Sequence, residues 1–403
     1  MDLIKRPVYL RRIEPYLRKS LIKVIVGQRR VGKSYFLKQI SDLFTDKYPE
    51  IPKIYINKED LEFDSIRNYA DLVSYAESKR ENDELHAIFI DEIQEIAEFE
   101  KALRHLQNKQ KWDIYCTGSN AHLLSGELGT LLTGRFIEIE MFSLSFNEFL
   151  EFHDLENTNE NFYKYLEFGG LPYLMHLELR EDIVYDYLNN IFQSILYKDI
   201  ISRYNIRNIS FLERLCSYIA DNTGQIVSAK KITDYLKSQK ISFSNNIVLD
   251  YLSFLQNAFL IYSLKRNDLK GKRILEIGEK LYFQDLGLRN ALNGYAPGDI
   301  SQMLENIVLT HLLIHNYNVT VGKVGDKEID FVCDKNNKRL YIQVTLSLAD
   351  ENVRNREIGN LLLLKDNFRK IVITSDELTK PEIKGIEIWN VRRFLSDFFY
   401  YHE

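Results

Sequence analysis

The chain has 403 residues, a formal net charge of -5 and an apolar content of 45%. This length suffices for two or three domains, each with its own apolar core. The composition is typical of a globular protein, which excludes collagen-like and disordered chains. The negative net charge argues against a protein that coats nucleic acid by bulk electrostatics, although it allows a local basic surface.

The cysteines and the N-terminus bear on the cellular compartment. Cys116, Cys216 and Cys333 are far apart, and each lies in an apolar stretch, which predicts buried reduced thiols with no disulfide and no zinc. Residues 1–23 are rich in Lys and Arg and lack the apolar run of a signal peptide. No run approaches the roughly 18 apolar residues of a membrane span. We therefore expect a cytoplasmic protein without a membrane partner.

Apolar strand-like runs alternate with helical patterns in the first third of the chain. The runs are residues 21–26, 53–56, 87–90, 114–117 and 136–141. Such alternation predicts an α/β fold, in which a parallel sheet is covered by helices. We expect this part to end at residue 142.

A phosphate-binding pattern follows the first strand-like run. It reads Gly27-Gln28-Arg29-Arg30-Val31-Gly32-Lys33-Ser34, is followed by Tyr35, and matches the P-loop spacing G-x-x-x-x-G-K-[ST]. The glycines let the backbone fold around phosphates, and N–H groups at the start of the next helix face the anion. We expect Lys33 to contact the β and γ phosphates of ATP, and Ser34 to ligate Mg²⁺.

Two carboxylates, Asp91 and Glu92, end the third strand-like run. Parallel sheets bind ligands at the carboxyl ends of their strands, which is where this acidic pair lies. We expect Asp91 to hold Mg²⁺ through water, and Glu92 to act as the catalytic base that orients the attacking water. The alternative is an exposed acidic pair at the start of a helix, which the preceding P-loop makes the minor option.

Two further polar positions each have a functional and a structural interpretation. Ser119 or Asn120, which end the fourth strand-like run, could sense the γ-phosphate or could simply form a turn. Arg135 begins the fifth run and could neutralise charge in the transition state, as an arginine finger in cis or from a neighbouring subunit. Its alternative is a surface salt bridge.

The remaining chain divides into three predicted parts. Residues 143–207 have helical spacing interrupted at Gly169–Pro172, which predicts a helical lid packed on the sheet domain. Residues 208–299 show the order helix, short strand, helix, helix and two strands, which is that of a winged helix-turn-helix. Ser244 is the expected N-cap of its third helix. Residues 300–403 predict a separate small α/β domain.

Basic residues cluster in the predicted winged helix-turn-helix. Lys230, Lys231, Lys237 and Lys240 lie on its second helix, and Lys265, Arg266, Lys270, Lys272 and Arg273 lie on its wing. This placement suits contacts to DNA phosphates. However, the third helix has no basic side chains, and its Ile247, Val248, Leu249, Leu252 and Leu255 are expected to be mostly core. DNA binding and an interdomain packing role with solvated lysines are therefore both open.

Further motifs span nearly the whole chain. They are Arg6-Pro7-Val8-Tyr9-Leu10, the P-loop with Arg29 and Arg30, Ile90-Asp91-Glu92-Ile93-Gln94, Thr117-Gly118-Ser119-Asn120, Gly134-Arg135, Phe146-Asn147-Glu148-Phe149, Gly169-Gly170-Leu171-Pro172 and Lys280-Leu281-Tyr282-Phe283-Gln284-Asp285. With these motifs the chain resembles prokaryotic AAA-type ATPases whose C-terminal part is a domain of unknown function. The resemblance implies a P-loop NTPase sheet of strand order 5-1-4-3-2 with an additional glutamate, followed by a winged helix and a restriction-endonuclease-like core. It also implies ATP and Mg²⁺ as cofactors.

The endonuclease-like core would need a helix Glu, a strand Asp, and a carboxylate or amide two residues before a Lys on the next strand. The candidates are Glu305, Asp330 and Gln343, with Thr345 in the lysine position. Thr345 cannot supply a positive charge, and Gln343 is a neutral ligand. The sequence therefore predicts a catalytically degenerate domain.

Three functional hypotheses follow from these patterns. The first is an ATP-hydrolysing switch, regulatory or associated with DNA, that could form a homo-oligomer. The second is a nucleotide-dependent signalling or assembly scaffold with a protein partner, and the third is an ATP-driven nuclease. Glu92 favours the first hypothesis, because a P-loop protein that only binds nucleotide does not need a base for water.

Overall fold

The computed structural model describes residues 4–80, 82–121, 134–238, 244–269, 273–378 and 380–399. The chain forms two compact units. The first consists of Met1–Met141 with Asn257–Phe259, and the second of Phe142–Gln256 with Leu260–Glu403. The boundary expected at residue 142 stays a prediction, because the first unit also includes Asn257–Phe259.

Strands and helices alternate in the first unit. In chain order they are α1 (Pro7–Ile13), β1 (Ile22–Gly27), α2 (Lys33–Lys47), β2 (Lys53–Asn57), α3 (Tyr69–Ser78), β3 (His86–Asp91), α4 (Phe99–Asn108), β4 (Trp112–Gly118) and β5 (Phe136–Met141), with 3₁₀ turns at Glu14–Tyr16, Leu61–Phe63 and Ile93–Glu95. The strands form one parallel sheet in the order β2-β3-β4-β1-β5. This is the expected order, read from the opposite edge, so the predicted α/β P-loop fold class is confirmed.

Both faces of this sheet are covered, which explains its nearly continuous apolar strands. On β3, Ile88 and Ile90 point into a core shared with α3 and α4. Phe89 points to the other face, where its ring stacks on Tyr115 with centroids 4.6 Å apart and meets the edge of Phe44 of α2. Because successive side chains of a strand point to opposite faces, each strand packs against helices on both sides of the sheet.

The second unit begins with helices and ends in a large sheet. Its elements are α5 (Phe146–Phe152), α6 (Asn159–Phe168), a 3₁₀ helix (Pro172–His176), α7 (Glu181–Ser194) continued by a π-helix (Ile195–Ile201) and a turn (Ser202–Tyr204), α8 (Ile209–Asp221), β6 (Ile226–Val227), α9 (Ala229–Ser238), α10 (Asn245–Asn257), β7 (Ile261–Asp268), β8 (Arg273–Phe283), α11 (Leu286–Asn293), a 3₁₀ turn (Pro297–Asp299), α12 (Ile300–Ile314), β9 (Asn318–Val324), β10 (Lys327–Lys335), β11 (Lys338–Thr345), α13 (Glu351–Leu362), β12 (Arg369–Thr374), β13 (Glu382–Ile383), β14 (Ile386–Asn390), a turn (Val391–Arg393) and a π-helix (Phe394–Phe398). The order from α8 to β8 is the one expected for residues 208–299. Ser244 Oγ accepts a hydrogen bond from the Ile247 N–H at 3.4 Å, so it caps α10 as expected.

Nine strands of this unit form one sheet, in the order β13-β14-β12-β11-β10-β9-β7-β8-β6. The strands before residue 300 and those after it meet at β7 and β9, where Arg266–Asp268 pairs in parallel with Val321–Lys323. Strands on both sides of the predicted boundary between residues 299 and 300 therefore share one sheet. The finer division into a winged helix and an endonuclease-like domain stays a prediction.

Helices α5 and α6 pack inside the second unit. Their residues Phe146, Phe149 and Tyr165 join one core with α12 and the C-terminal π-helix. The lid predicted for residues 143–207 stays a prediction. The Phe146 N–H also donates to Nε2 of His311, a buried residue of α12, at 2.9 Å. Helical spacing shows that a helix has an apolar face, but it does not identify the element that covers that face.

Asp285 connects two of the sequence motifs. Its carboxylate accepts hydrogen bonds from the N–H groups of Gly170, at 2.8 Å, and Leu288, at 3.2 Å, and it thereby caps α11. Gly169 has φ +75°, and a Cβ there would lie 2.3 Å from Asp285 Oδ1. Burial raises the pKa of Asp285, and these hydrogen bonds act against that rise. The Gly-Gly-Leu-Pro turn is thus fixed by one acidic side chain.

We expect Asp285→Ala to lower the free energy of unfolding of the second unit by about 3 kcal/mol, because two backbone N–H groups lose their acceptor. Asp285→Asn keeps an acceptor oxygen and should lose about half as much. Urea unfolding measures the change, and amide exchange at residues 166–170 assigns it to this turn. Asp250→Ala, at an exposed position of α10, is the control, and equal stability of Asp285→Ala and the control would contradict this role.

Candidate nucleotide site

The loop between β1 and α2 has a backbone that few residues adopt. Gly27, Arg30 and Gly32 have φ values of +145°, +71° and +96°. A Cβ on Gly27 would lie 2.3 Å from the carbonyl oxygen of Met141 on β5, so only glycine fits there. The loop leads into the N-terminus of a 15-residue helix, whose free N–H groups attract anions.

Lys33 lies over this loop. It is only 4% exposed, and its Nζ donates hydrogen bonds to the carbonyl oxygens of Gly27 and Gln28, both at 3.0 Å. The Gln28 side chain is fully buried, and its amide has no hydrogen-bond partner among the described residues. Arg29 is half-buried, while Arg30 and Tyr35 are exposed. A cation and a buried amide thus lie within the predicted phosphate loop.

Asp91 connects the loop to the sheet. Its Oδ1 accepts a hydrogen bond from Thr117 Oγ1 at 2.5 Å. Burial raises the pKa of Asp91, while the hydrogen bonds from Thr117 and Ser34 and the charge of Lys33 act against that rise. The structure therefore brings together the two residues expected at the Mg²⁺ ion, Ser34 and Asp91.

Glu92 has an unusual backbone conformation. Its φ and ψ are both 53°, in the left-handed region that a non-glycine residue adopts only at a cost of about 1–3 kcal/mol. Its N–H donates to Thr117 Oγ1 at 2.9 Å, and Gln94 Nε2 donates to its carboxylate. Thr117, which the sequence analysis gave no separate role, therefore positions both acidic residues. Its place in the Thr117–Asn120 motif was the available signal.

Ser119 and Asn120 follow β4 at the same edge of the sheet. Both are buried, and β4 lies between β3 and β1, the strands that carry the carboxylates and the loop. The structure thus places these two residues beside the loop and the acidic pair. A role in sensing phosphate stays a prediction.

Arg135 lies at the opposite edge of the sheet. It precedes Phe136, which pairs with Ile22 at the start of β1, whereas the loop follows the end of β1. The start of β1 at Ile22 and its end at Gly27 are five residues apart, a distance of about 17 Å along the strand. Its guanidinium donates to Asn108 Oδ1 at 2.9 Å. The geometry therefore does not support a finger in cis, and a finger from a neighbouring subunit stays a prediction.

Arg6 supports the loop from the N-terminal side. It is buried, and its guanidinium donates to the carbonyl oxygen of Val31 at 3.1 Å, while its N–H donates to Gln39 Oε1 at 3.4 Å. In the sequence, Arg6 is recognisable only as part of the Arg6–Leu10 motif. In the structure, Arg6 of this motif supports the phosphate loop through its hydrogen bond to the backbone of Val31.

A second polar cluster lies in the second unit, and we call it the Lys280 cluster. Lys280 Nζ on β8 lies 2.7 Å from Glu305 Oε1, 2.8 Å from Glu328 Oε1 and 3.7 Å from Asp330 Oδ1. The Tyr282 hydroxyl donates to the same Glu305 oxygen at 2.5 Å. Burial lowers the pKa of Lys280, but the three carboxylates outweigh it and raise that pKa above its ordinary value.

The other predicted nuclease residues border this cluster. Asp330 lies at a β-bulge of β10, its N–H donates to Gln343 Oε1 at 2.7 Å, and its carboxylate accepts from the Val344 N–H at 2.8 Å. Burial and the charge of Glu305 raise the pKa of Asp330, and the Lys280 ammonium acts against that rise. Gln343 Nε2 donates to Glu357 Oε2 at 2.6 Å. The Thr345 hydroxyl donates to the carbonyl oxygen of Ser347 instead, at 3.4 Å.

Lys280 supplies the positive charge that Thr345 cannot supply. It reaches Glu305 and Asp330 from β8, a strand outside the predicted endonuclease-like segment. The sequence analysis named Lys280 only within a motif. In the part of the chain that the structure describes, no three His, Cys, Asp or Glu side chains are arranged to hold a metal ion.

The basic surface is described in part. Lys230, Lys231 and Lys237 are exposed on α9, and Lys265 is exposed on β7. Lys240, Lys270, Lys272 and the Arg273 side chain lie outside the described residues. On α10, Val248, Leu252 and Leu255 are buried, Ile247 is half-buried and Leu249 is exposed. Among the helices that the structure covers, none is long and apolar enough to cross a membrane.

Comparisons with known proteins agree with the geometry of the first unit. Residues 19–150 match the family model described as AAA domain, and residues 159–299 match a domain of unknown function, DUF8612. An uncharacterized protein of Haemophilus influenzae is 36% identical over 96% of this chain and 97% of its own length. An uncharacterized protein of Methanocaldococcus jannaschii is 34% identical over 88% of this chain and 81% of its own.

Two solved structures also resemble the chain. The Walker-type ATPase of Pyrococcus abyssi is 15% identical with a TM-score of 0.49, over 72% of this chain and 96% of that one. The ORC1 protein of Aeropyrum pernix, solved in complex with DNA, is 12% identical with a TM-score of 0.33, over 72% of this chain and 93% of that one.

Proposed function

We propose that this chain, which belongs to one family with the two uncharacterized relatives and whose residues 19–150 match the AAA domain model, binds ATP with Mg²⁺ and hydrolyses it. One observation supports this proposal above the others. The buried ammonium of Lys33 lies over the phosphate loop, where it donates to the carbonyl oxygens of Gly27 and Gln28. The Ser34 side chain of the same loop acts on the Asp91 carboxylate and opposes the rise of its pKa, so the loop lies beside the acidic edge of the sheet.

The residues present fit Mg²⁺. A serine hydroxyl and a carboxylate side by side are hard oxygen donors, the type that Mg²⁺ prefers. The ion, when bound, neutralises charge on the β and γ phosphates. Ser34 would hold it directly, and Asp91 would hold it through water.

The chain's own groups provide the remaining functions. The N–H groups of the loop and the start of α2 bind phosphate oxygens, and Lys33 turns its ammonium from the loop carbonyls to the phosphates. Glu92 accepts a proton from the attacking water, and its left-handed backbone directs the side chain to the edge where that water would lie. Ser119 or Asn120 would contact the γ-phosphate through water.

The test is calorimetry of the wild-type protein with ATP and Mg²⁺, followed by phosphate release with Mg²⁺ and with a chelator. We expect nucleotide binding, and turnover that stops when Mg²⁺ is removed. A folded protein that shows no binding would overturn the proposal, and binding without turnover would leave the scaffold hypothesis in its place.

The structure favours a packing role for the segment from α8 to β8 over DNA binding. Strand β7 pairs with β8 on one edge and with β9 on the other, so its hairpin is part of the large sheet. The residues that support DNA binding are the exposed lysines of α9. Turnover should therefore be measured with and without duplex DNA at about 50 and 200 mM salt, where phosphate contacts weaken steeply. Stimulation that is lost at the higher salt would favour a DNA-associated switch.

A further inference from the structure

The side-chain amide of Gln94 has a hydrogen-bond partner on one side only. Its Nε2 donates to the Glu92 carboxylate, whereas its Oε1 is buried and accepts no hydrogen bond from the described residues. The carboxylate fixes the orientation of this amide, because a carboxylate oxygen accepts hydrogen bonds and the amide nitrogen is the donor. The unpartnered atom is therefore an acceptor, and it belongs to the same amide group that contacts Glu92.

The turn that carries Gln94 has a fixed backbone. Ile93 and Ile96 are buried in the core of the first unit, and the Ile96 N–H donates to the carbonyl oxygen of Ile93 at 3.0 Å. Side chains three residues apart lie on the same face of a 3₁₀ turn, so these two isoleucines anchor it. The Glu95 N–H donates to the Glu92 carbonyl oxygen at 3.1 Å. The turn therefore holds Gln94 beside Glu92.

Glu92 and Gln94 follow β3 at the same edge of the sheet as the phosphate loop. The charges of both Glu92 and Lys33 act on the Asp91 carboxylate, so the proposed base and the lysine of the loop are close to the same group. A buried acceptor without a donor costs about 1–3 kcal/mol. Such a group calls for an explanation, and at this edge of the sheet a donor that arrives with the substrate provides one.

We propose that Gln94 is a catalytic residue that binds the attacking water together with Glu92. This inference rests on the proposed hydrolysis of ATP. One O–H of the water donates to Glu92 and the other to Oε1 of Gln94, so the two acceptors orient its lone pair toward the γ-phosphorus. As the water oxygen bonds to phosphorus, the bond from phosphorus to the bridging oxygen of ADP breaks. Glu92 takes one proton, and the other stays on the released phosphate.

The experiment compares the wild type with Gln94→Met, which keeps the length of the side chain and removes the amide. Phosphate release at saturating ATP with Mg²⁺ measures turnover, and calorimetry on the same preparation measures affinity. We expect Gln94→Met to turn over at least about tenfold more slowly at nearly wild-type affinity, because the water loses one of its two orienting contacts. Glu92→Gln combined with Gln94→Met should be no slower than Glu92→Gln alone, since residues that act as a unit are non-additive.

Gln107→Met is the matched control. Gln107 is also half-buried, and its Oε1 likewise has no partner among the described residues, but its Nε2 donates to the carbonyl oxygens of Ser20 and Arg135. Arg135 lies at the opposite edge of the sheet from the loop. Gln107→Met should keep wild-type turnover, which separates the position of the amide from the general loss of a buried polar group.

Gln94→Asn tests the same inference if thermal melting shows that Gln94→Met does not fold. It keeps the amide but withdraws it by one methylene group, so it should also slow turnover. Wild-type turnover in a folded variant, faster turnover than the wild type, or additive losses in the double variant would overturn the inference and leave the proposed ATPase function intact. A wild-type protein that binds ATP without turnover would overturn both.

Discussion

Lys33→Ala should weaken binding of ATP with Mg²⁺ by about 100-fold or more, because the β and γ phosphates lose a charge-assisted contact in a buried site. In the structure the Lys33 ammonium donates to the carbonyl oxygens of Gly27 and Gln28, both in the loop that binds phosphate in this proposal. Calorimetry or a fluorescent nucleotide analogue measures the change.

Lys38→Ala is the matched control for this substitution. Lys38 lies on the same helix, carries the same charge and is exposed to solvent. It should keep wild-type affinity, which separates a local contact from a general effect of charge. If Lys33→Ala folds as the wild type and keeps its affinity for ATP, the loop is not the phosphate site.

Glu92→Gln should bind ATP with Mg²⁺ at nearly wild-type affinity and hydrolyse it about 100-fold more slowly. The amide keeps the size of the side chain but cannot accept the proton of the attacking water, and a positioned base contributes about 10²–10⁴-fold to such reactions. Phosphate release under saturating ATP measures turnover, and calorimetry on the same preparation measures affinity.

Glu95→Gln provides the control for this effect. Glu95 lies in the same 3₁₀ turn but is exposed, so its removal should not change turnover. Equal turnover by Glu92→Gln and the wild type would contradict the role of Glu92 as base. It would also favour a scaffold that uses nucleotide to set its assembly state.

The sequence alone determined the parts of this protein that depend on neighbours along the chain. The phosphate loop requires glycines at fixed positions between a strand and a helix, and positions 27 and 32 have the positive φ values that glycine allows. The acidic pair is at the end of a buried strand, and parallel strands place such ends at one edge of the sheet. Local backbone rules and a continuous apolar pattern were therefore enough to predict the α/β fold of the first unit and the positions of its loop and acidic pair along the strands.

The tertiary structure decided what depends on residues far apart in the sequence. Only the sheet register shows that Arg135 lies at the edge opposite the loop, and only packing shows that helices α5 and α6 share a core with α12. Lys280 reaches Glu305 and Asp330 because β8 and β10 belong to one sheet. The physical reason is that an apolar face or a lone charge specifies the type of partner it needs, while the partner's identity is fixed by the fold as a whole.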